Sequence, residues 1–187
     1  DMPAFMVDRL GLTVEQRFFK RLFDIVLSFL GIVITSPLMV IIAILIRSTS
    51  KGPAIYRQTR ITVGNREFKM LKFRTMYENA EEKTGPVLSS DDDPRVTKVG
   101  RVLRNLRLDE LPQLFNVLKG DMSFVGPRPE RPFFVEQYSR DIPEYTHRYL
   151  VKAGMTGYAQ IYGKYDTSAV DKLKYDLLYI RDYSLML

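Results

Sequence analysis

The chain has 187 residues, 45% of them hydrophobic, and a net charge of +6, enough for one soluble domain with a small appendage. It has no cysteine and one histidine, which excludes disulfides, zinc–thiolate sites, thiol nucleophiles and a multi-histidine metal centre within one chain. The hydrolase elbow, the P-loop and the dinucleotide-binding glycine fingerprint are all missing, so carboxylates and a metal would have to carry any catalysis.

Along the chain, basic residues gather at 17–21, 47–74 and 95–107, a distribution suited to phosphates on nucleotides or anionic lipid. No zinc-finger, RRM or helix-turn-helix pattern accompanies them, so nucleic acid is not an expected partner. After a lead-in over residues 1–21, residues 22–46 form an apolar run of membrane-spanning length. It is not a signal peptide, because it starts well inside the chain and no cleavage pattern follows. Ser36-Pro37 interrupts it, and proline both removes a helical donor and disfavours helix at the residue before it. Arg17, Lys20 and Arg21 precede the run while Arg47 and Lys51 follow it. Positive residues at both ends favour one cytoplasmic face for both. The 14 residues before Ser36 rise about 21 Å, short of a ~30 Å hydrocarbon core. A re-entrant helix hairpin broken at Ser36-Pro37 meets both conditions, with Ser36 bonding to a carbonyl that the break frees; a kinked crossing helix is the alternative. Asp24 is expected to pair with Lys20 and Arg21.

Residues 47–187 then form the soluble domain. SKGPAIYRQTR and EFKMLKFRTM read as a β-hairpin turning at Val63-Gly64-Asn65. Its basic residues Arg57, Arg60, Lys69, Lys72 and Arg74 are mostly a solvated face, with one or two, Lys72 among them, contacting phosphate. A polar loop follows, with a short helix expected over 77–82. Asp91-Asp92-Asp93 reads either as a solvated turn or as a metal-binding D-x-D motif. Residues 99–107 predict a basic amphipathic helix with Val99, Val102, Leu103 and Leu106 on its inner face.

Residues 109–119 predict a second helix. Asp109 would cap it, Pro112 would fall in its first turn, Gly120 would stop it, and Leu111, Leu114, Phe115 and Leu118 would be buried. The adjacent carboxylates Asp109 and Glu110 stand just after Arg101, Arg104 and Arg107. Capping and the helix dipole explain the pair; so does a site that must hold phosphate. GDMSFVGPRPERP, with Arg128 and Arg131, has the rigidity of an anion-binding loop. His147 reads as a solvated side chain on a polar helix. In KAGMTGYAQIYGK, Lys152 and Lys164 flank Tyr158 and Tyr162, a composition that suits stacking a base and holding its phosphates, or alternatively ordinary core turns. The chain closes on a helix with Leu173, Leu177, Ile180 and Tyr183 in register.

KRLFDIVLSFLGIVITSPLMVIIAILI, KFRTM, LRLDELPQLFNVLKGDMSFVGPRP and AGMTGYAQIYGK, in this order, resemble the bacterial sugar transferases, the monotopic phosphoglycosyl transferases. The resemblance runs from about Lys20 to the end. It departs from the family pattern at Ala153 and Tyr158. The termini, DMPAF and YSLML, resemble cut ends of the catalytic part of a larger member. The resemblance implies an α+β, mostly helical domain anchored by the re-entrant helix at the cytoplasmic face of the bacterial inner membrane. It implies transfer of a sugar 1-phosphate from a UDP-sugar, a hexose such as galactose or glucose, to polyprenyl (undecaprenyl) phosphate, with release of UMP. Asp109 would be the nucleophile of a covalent phosphosugar intermediate and Glu110 would help hold Mg²⁺. Arg104 and Arg128 match phosphate-binding positions, and Lys72, Lys152 and Tyr158 are expected to contact substrate. Homodimerisation is left open. Two rivals are a metal-dependent glycosyltransferase using Asp91–Asp93 and releasing UDP, and a non-enzymatic polybasic membrane module.

Overall fold

The computed structural model describes residues 12–80, 85, 93–163 and 167–182. Its first helix starts where Thr13 and Gln16 exchange bonds. Thr13 N–H donates to Gln16 Oε1 at 2.9 Å and Gln16 N–H donates to Thr13 Oγ1 at 3.2 Å, a reciprocal capping box. Helix α1, Val14–Thr49, therefore begins inside the expected lead-in rather than at residue 22. It also passes Ser36-Pro37 as one helical element, where the sequence suggests a break. Pro37 cannot donate to the carbonyl of Val33, and Ser36 Oγ donates to that carbonyl at 3.0 Å. Thr35 Oγ1 likewise donates to Gly31 O at 2.7 Å. With the freed carbonyl satisfied, the helix accommodates its proline. By length and composition α1 is apolar enough to cross a membrane, and Phe23, Ile34 and Ile44 all lie exposed along it.

The chain divides into two compact units that interleave in sequence, which is why no linker marks a boundary. Helix α1 and the hairpin contribute residues to both. The hairpin is as expected: β1, Ile55–Thr62, and β2, Arg66–Phe73, join through a 3-10 turn at Val63–Asn65. Gly64 and Asn65 take left-handed φ values of 65° and 58° there, conformations that these two residue types tolerate best.

One unit comprises residues 27–58 and 69–116. Its core packs Met39, Ile42 and Ile46 of α1 on Phe73 and Leu103. Helix α2 spans Lys98–Asn105 and is capped by Thr97, whose Oγ1 accepts Gly100 N–H at 2.9 Å. Val99 and Leu103 point inward as expected, whereas Val102 and Leu106 are exposed. The inner stripe centres on Val99, Gly100 and Leu103; Val102 and Leu106 lie on the next stripe round, and Leu106 is already past the last helical turn. The expected helix over 77–82 is a turn at 78–80, and residues 81–82 lie outside the described residues.

The other unit comprises the described residues of 12–26, 59–68 and 117–182. Helix α3, Gln113–Lys119, contributes its first four residues to the first unit and its last three to this one, and it ends at Gly120, whose φ of 94° is the left-handed stop expected of it. Strand β3, Ser123–Val125, pairs in parallel with β4, Gly154–Thr156, in the register Ser123↔Gly154 and Val125↔Thr156. The glycine-rich segments serve this pairing. A Cβ on Gly154 would stand 2.2 Å from Gly126 N, so the two backbones approach only as glycines. Helix α4, Pro132–Asp141, leads through a 3-10 turn at Pro143–Leu150 to β4, the single turn α5, Tyr158–Ile161, and α6, Ala169–Arg181. Ile61, Val135, Ile142, Tyr145, Tyr149 and Leu173 form its main core. Leu173 and Ile180 of α6 are buried as expected, and Tyr183 lies outside the described residues. His147 is exposed, in keeping with a solvated role.

Candidate active site

The site is built on the short path from β2 through α2 to the Asp109 turn. Thr75, just after β2, is its hub. Its carbonyl accepts Thr97 N–H at 2.9 Å, and its hydroxyl accepts Arg104 Nε–H at 2.9 Å. Helix α2 lies so close that a Cβ on Gly100 would stand 2.0 Å from the Thr75 carbonyl oxygen. Arg104 is thus held by its own helix and by a side chain 29 residues away.

Between α2 and α3 the chain does not form the helix start that the sequence suggests. Arg107 adopts a left-handed φ of 57°, and Leu108–Glu110 form a 3-10 turn ahead of α3. Asp109 therefore lies inside that turn and not at the N-cap of a helix, and α3 begins only after Pro112. Within α3, Leu114 and Val117 are buried but Phe115 is exposed, contrary to expectation. The buried positions beside Leu114 are polar. Asn116, 3% exposed, accepts Leu71 N–H through Oδ1 and donates through Nδ2 to Lys69 O, each at 2.9 Å. It thereby fixes the edge of β2 on either side of its bond partners, next to Lys72. Neither Thr75 nor Asn116 stood out in the sequence, because nothing local distinguishes them from ordinary polar residues.

Asp109 is 8% exposed, and Lys72 Nζ donates to Glu110 Oε1 at 2.8 Å with both side chains largely covered. Burial pushes the Asp109 carboxyl above the usual carboxylate range. Lys72 pulls it back, Glu110 adds to the rise and Arg104 opposes it. Burial likewise lowers Arg104, against the pull of Asp109 and Asp93. Four charged groups, Lys72, Arg104, Asp109 and Glu110, thus form one electrostatic cluster in one unit, two cationic and two anionic. Asp93 is buried and engaged bidentately by Arg95, with Nε 2.8 Å from Oδ1 and Nη2 2.6 Å from Oδ2. The remainder of the D-x-D motif, Asp91 and Asp92, lies outside the described residues.

The other expected contacts, Arg128, Lys152 and Tyr158, belong to the other unit. The carbonyl of Arg128 accepts Arg148 Nη2–H at 3.0 Å. Lys152 is half-buried, and burial, then Arg21, lowers its ammonium while Asp24 opposes them. Tyr158 sits edge-on to Tyr162 and Tyr179, with ring centroids 5.6 and 5.9 Å away, and packs against the Val151–Tyr179–Ile180 cluster. Ala153 donates its N–H to Thr62 Oγ1 at 3.2 Å, a bond that proline at this position would forgo. Lys164 lies outside the described residues. Asp24 acts on Lys20 through its charge, as expected, whereas Arg21 donates to the carbonyls of Val117 and Leu118; Asp24 is also buried, and its Oδ1 accepts Ser123 Oγ–H at 3.0 Å and Phe124 N–H at 3.1 Å, holding β3 to α1.

Among the described residues no three His, Asp or Glu side chains gather as a metal cage. Asp109 and Glu110 nevertheless supply adjacent hard oxygens. That fits Mg²⁺, which binds through one or two carboxylates and fills its octahedron with water and substrate phosphates.

Residues 15–187 match the family described as bacterial sugar transferase. The chain is 47% identical over 173 residues to the UDP-N-acetylgalactosamine-undecaprenyl-phosphate N-acetylgalactosaminephosphotransferase of Aeromonas hydrophila, covering 91% of this chain and 41% of that protein. It is 46% identical over 176 residues to the UDP-glucose:undecaprenyl-phosphate glucose-1-phosphate transferase of Klebsiella pneumoniae, covering 90% of this chain and 37% of that protein. To the undecaprenyl-phosphate galactose phosphotransferase of Salmonella typhimurium it is 40% identical over 185 residues, covering 91% and 38%. The chain thus spans roughly two fifths of the length of these relatives.

Proposed function

The chain belongs to the bacterial sugar transferase family, and on that premise we propose that it transfers a sugar 1-phosphate from a UDP-sugar to polyprenyl phosphate. The products are UMP and a polyprenyl-diphospho-sugar. The observation that carries the reading is the covered cluster of Asp109 and Glu110 with Lys72 and Arg104. Asp109 sits in a 3-10 turn with no cap to make, so helix capping does not account for it.

An Asp109 carboxylate oxygen attacks the phosphorus that bears the sugar, the bond to UMP breaks, and an aspartyl phosphosugar forms. This acyl phosphate is a reactive anhydride. A phosphate oxygen of the polyprenyl phosphate displaces the carboxylate and regenerates Asp109. The attack sets a carboxylate against a diphosphate, a repulsion of about 4 kcal/mol per charge pair at 4 Å and an effective dielectric of 20. Lys72 and Arg104 offset it by placing positive charge where negative charge accumulates. Asp109 and Glu110 would hold Mg²⁺, which when bound neutralises charge on the diphosphate. The sugar is a hexose or an N-acetylhexosamine, by likeness to relatives named for glucose, galactose and N-acetylgalactosamine. Helix α1 anchors the chain at the cytoplasmic face of the bacterial membrane, and a bend at Pro37 within the one helical element would return it to the side it enters.

The test is intact-protein mass spectrometry after adding UDP-glucose, UDP-galactose or UDP-N-acetylgalactosamine without acceptor lipid. Wild type gains the mass of a sugar phosphate that hydroxylamine removes, and Asp109→Asn gains nothing and loses nearly all turnover. An active wild type that never carries the adduct would exclude the covalent route, and release of UDP in place of UMP would exclude the whole reading in favour of a glycosyltransferase. Removing divalent cations with EDTA abolishes UMP release, and added Mg²⁺ restores it.

A further inference from the structure

The segment Gly-Pro-Arg-Pro-Glu at residues 126–130 carries no regular structure, yet its backbone is tied at every step. Gly126 N–H donates to Thr156 O at 2.9 Å. The next four carbonyls each receive a donor from a different part of the unit. Gly154 N–H reaches Pro127 O at 2.9 Å and Arg148 Nη2–H reaches Arg128 O at 3.0 Å. Arg60 Nη1–H reaches Pro129 O at 3.1 Å and Ile61 N–H reaches Glu130 O at 3.0 Å. Prolines at 127 and 129 fix two further φ angles. A loop pinned in this way cannot adjust to a ligand, so its shape is set beforehand.

Two of these donors are backbone amides of strands, and Arg60 is only partly covered. Arg148 is different, being 3% exposed, with its Nη2 2.7 Å from Oδ2 of Asp176, itself nearly inaccessible. Its guanidinium lies 4.9 Å from the Tyr145 ring centroid and 5.9 Å from that of Tyr149, and Nη1 donates to the Tyr145 hydroxyl. Burying an ion pair costs several kcal/mol per ion before the pair interacts, and apolar side chains of like volume often serve packing as well or better. What they cannot supply is a donor to a carbonyl. A guanidinium fork meets a carboxylate, a phenol and a carbonyl at once.

We propose that Arg148, held by Asp176, is a positioning residue: it fixes the backbone at Arg128 so that the Arg128 side chain meets a substrate phosphate. The proposal rests on the reading of Arg128 as a phosphate ligand. It adds that the ligand's aim depends on a buried ion pair in α6 and the 3-10 turn before β4. The phosphate belongs either to the nucleotide or to the polyprenyl acceptor, and both present anionic non-bridging oxygens.

The experiment compares four versions of the protein: wild type, Arg128→Ala, the swap Arg148→Met with Asp176→Leu, and all three changes together. Apolar replacement of both ions keeps the core filled, so the swap is expected to melt cooperatively near wild type. Two arms are read, the Kd for UDP with Mg²⁺ and kcat/KM for undecaprenyl phosphate. Arg128→Ala weakens one of them about tenfold, and that arm names the phosphate. The swap weakens the same arm by a similar factor, and adding Arg128→Ala to it causes no further loss, because both changes remove one interaction. A folded swap that leaves both arms unchanged, or losses that multiply in the combined chain, overturns the positioning role while leaving Arg128 as a ligand. If Arg128→Ala itself changes neither arm, the ligand reading falls, and the positioning role falls with it. Should the swap fail to fold, Tyr145→Phe takes its place. It removes only the hydroxyl that receives Arg148 Nη1, and a twofold to threefold loss that disappears in the Arg128→Ala background is expected. A folded Tyr145→Phe chain with wild-type values in both arms overturns the proposal equally.

Discussion

Asp109 and Glu110 are neighbours in the chain but have different partners, and the proposed mechanism gives them different roles. Glu110 is tied to Lys72 at 2.8 Å, whereas Asp109 feels Lys72 and Arg104 mainly through their charge. Lys72 therefore acts on both carboxylates. Lys72→Met removes the largest influence that holds Asp109 down, so its carboxyl rises further. The proposed mechanism needs Asp109 ionised, so on it the acid limb of the kcat/KM profile should move to higher pH, with turnover at neutral pH falling at least tenfold. Glu110→Gln removes a charge that raises Asp109, and its acid limb should move the opposite way. Profiles that coincide with wild type would show that Lys72 does not act on the titration of the proposed nucleophile. Asn116 is the second test at this scale. Asn116→Asp keeps the acceptor for Leu71 N–H but loses the donor to Lys69 O, at a cost of about 1–3 kcal/mol. The melting temperature should fall by several degrees, and activity should fall with it because β2 carries Lys72. The carboxylate pair and Arg104 were legible because they stand together in the sequence. Thr75 and Asn116 were not, since their partners lie 29 and 45 residues away and only the folded chain brings them into reach.

Helix α2 and the turn after it show how elements, and not residues alone, aim the site. The hairpin was legible because Val63-Gly64-Asn65 carries local turn chemistry that needs no tertiary help. The start of α3 was not, because Asp109 followed by Pro112 is as good a cap sequence as any. The left-handed Arg107 decides the matter by turning the chain out of α2 before a second helix can begin. A non-glycine residue in that conformation is held at a cost of about 1 kcal/mol or more. Gly100 is the tighter constraint. Gly100→Ala improves intrinsic helix propensity by about 1 kcal/mol, and on an unconstrained helix would stabilise. Here its methyl meets the Thr75 carbonyl at 2.0 Å, so α2 must move away and Arg104 with it. The expected outcome is a chain with a lower melting temperature and a kcat/KM for UDP-sugar reduced at least tenfold. A more stable, fully active Gly100→Ala protein would mean that α2 can shift without moving the site.

At the scale of the whole molecule the question is which side of the membrane each end of α1 occupies. Its apolar length permits a crossing, and each part of the helix docks on elements of its own unit. Near its start, Lys20 Nζ donates to Val125 O at 3.0 Å, and Arg21 donates to Val117 O and Leu118 O at 2.7 and 2.6 Å. Towards its end, Ile42 and Ile46 pack with Phe73 and Leu103, and Arg74 Nη2 donates to Ser50 O at 2.9 Å. The proposal that both ends face the cytoplasm rests on the basic flanks, with Arg17, Lys20 and Arg21 before the apolar run and Arg47 and Lys51 after it. The chain has no cysteine of its own, so single cysteines report cleanly. Placed at exposed Glu15 and Ser48, both should resist an impermeant thiol reagent in intact cells and react once the cells are opened. Replacing Ser36 and Pro37 together with Ala restores the missing donor to Val33 O and stiffens the helix at its one proline. In that background, labelling of one site from outside should rise and activity should fall. Outside labelling of either site in the wild-type background would show that α1 crosses, and the depth of the site would then need another anchor.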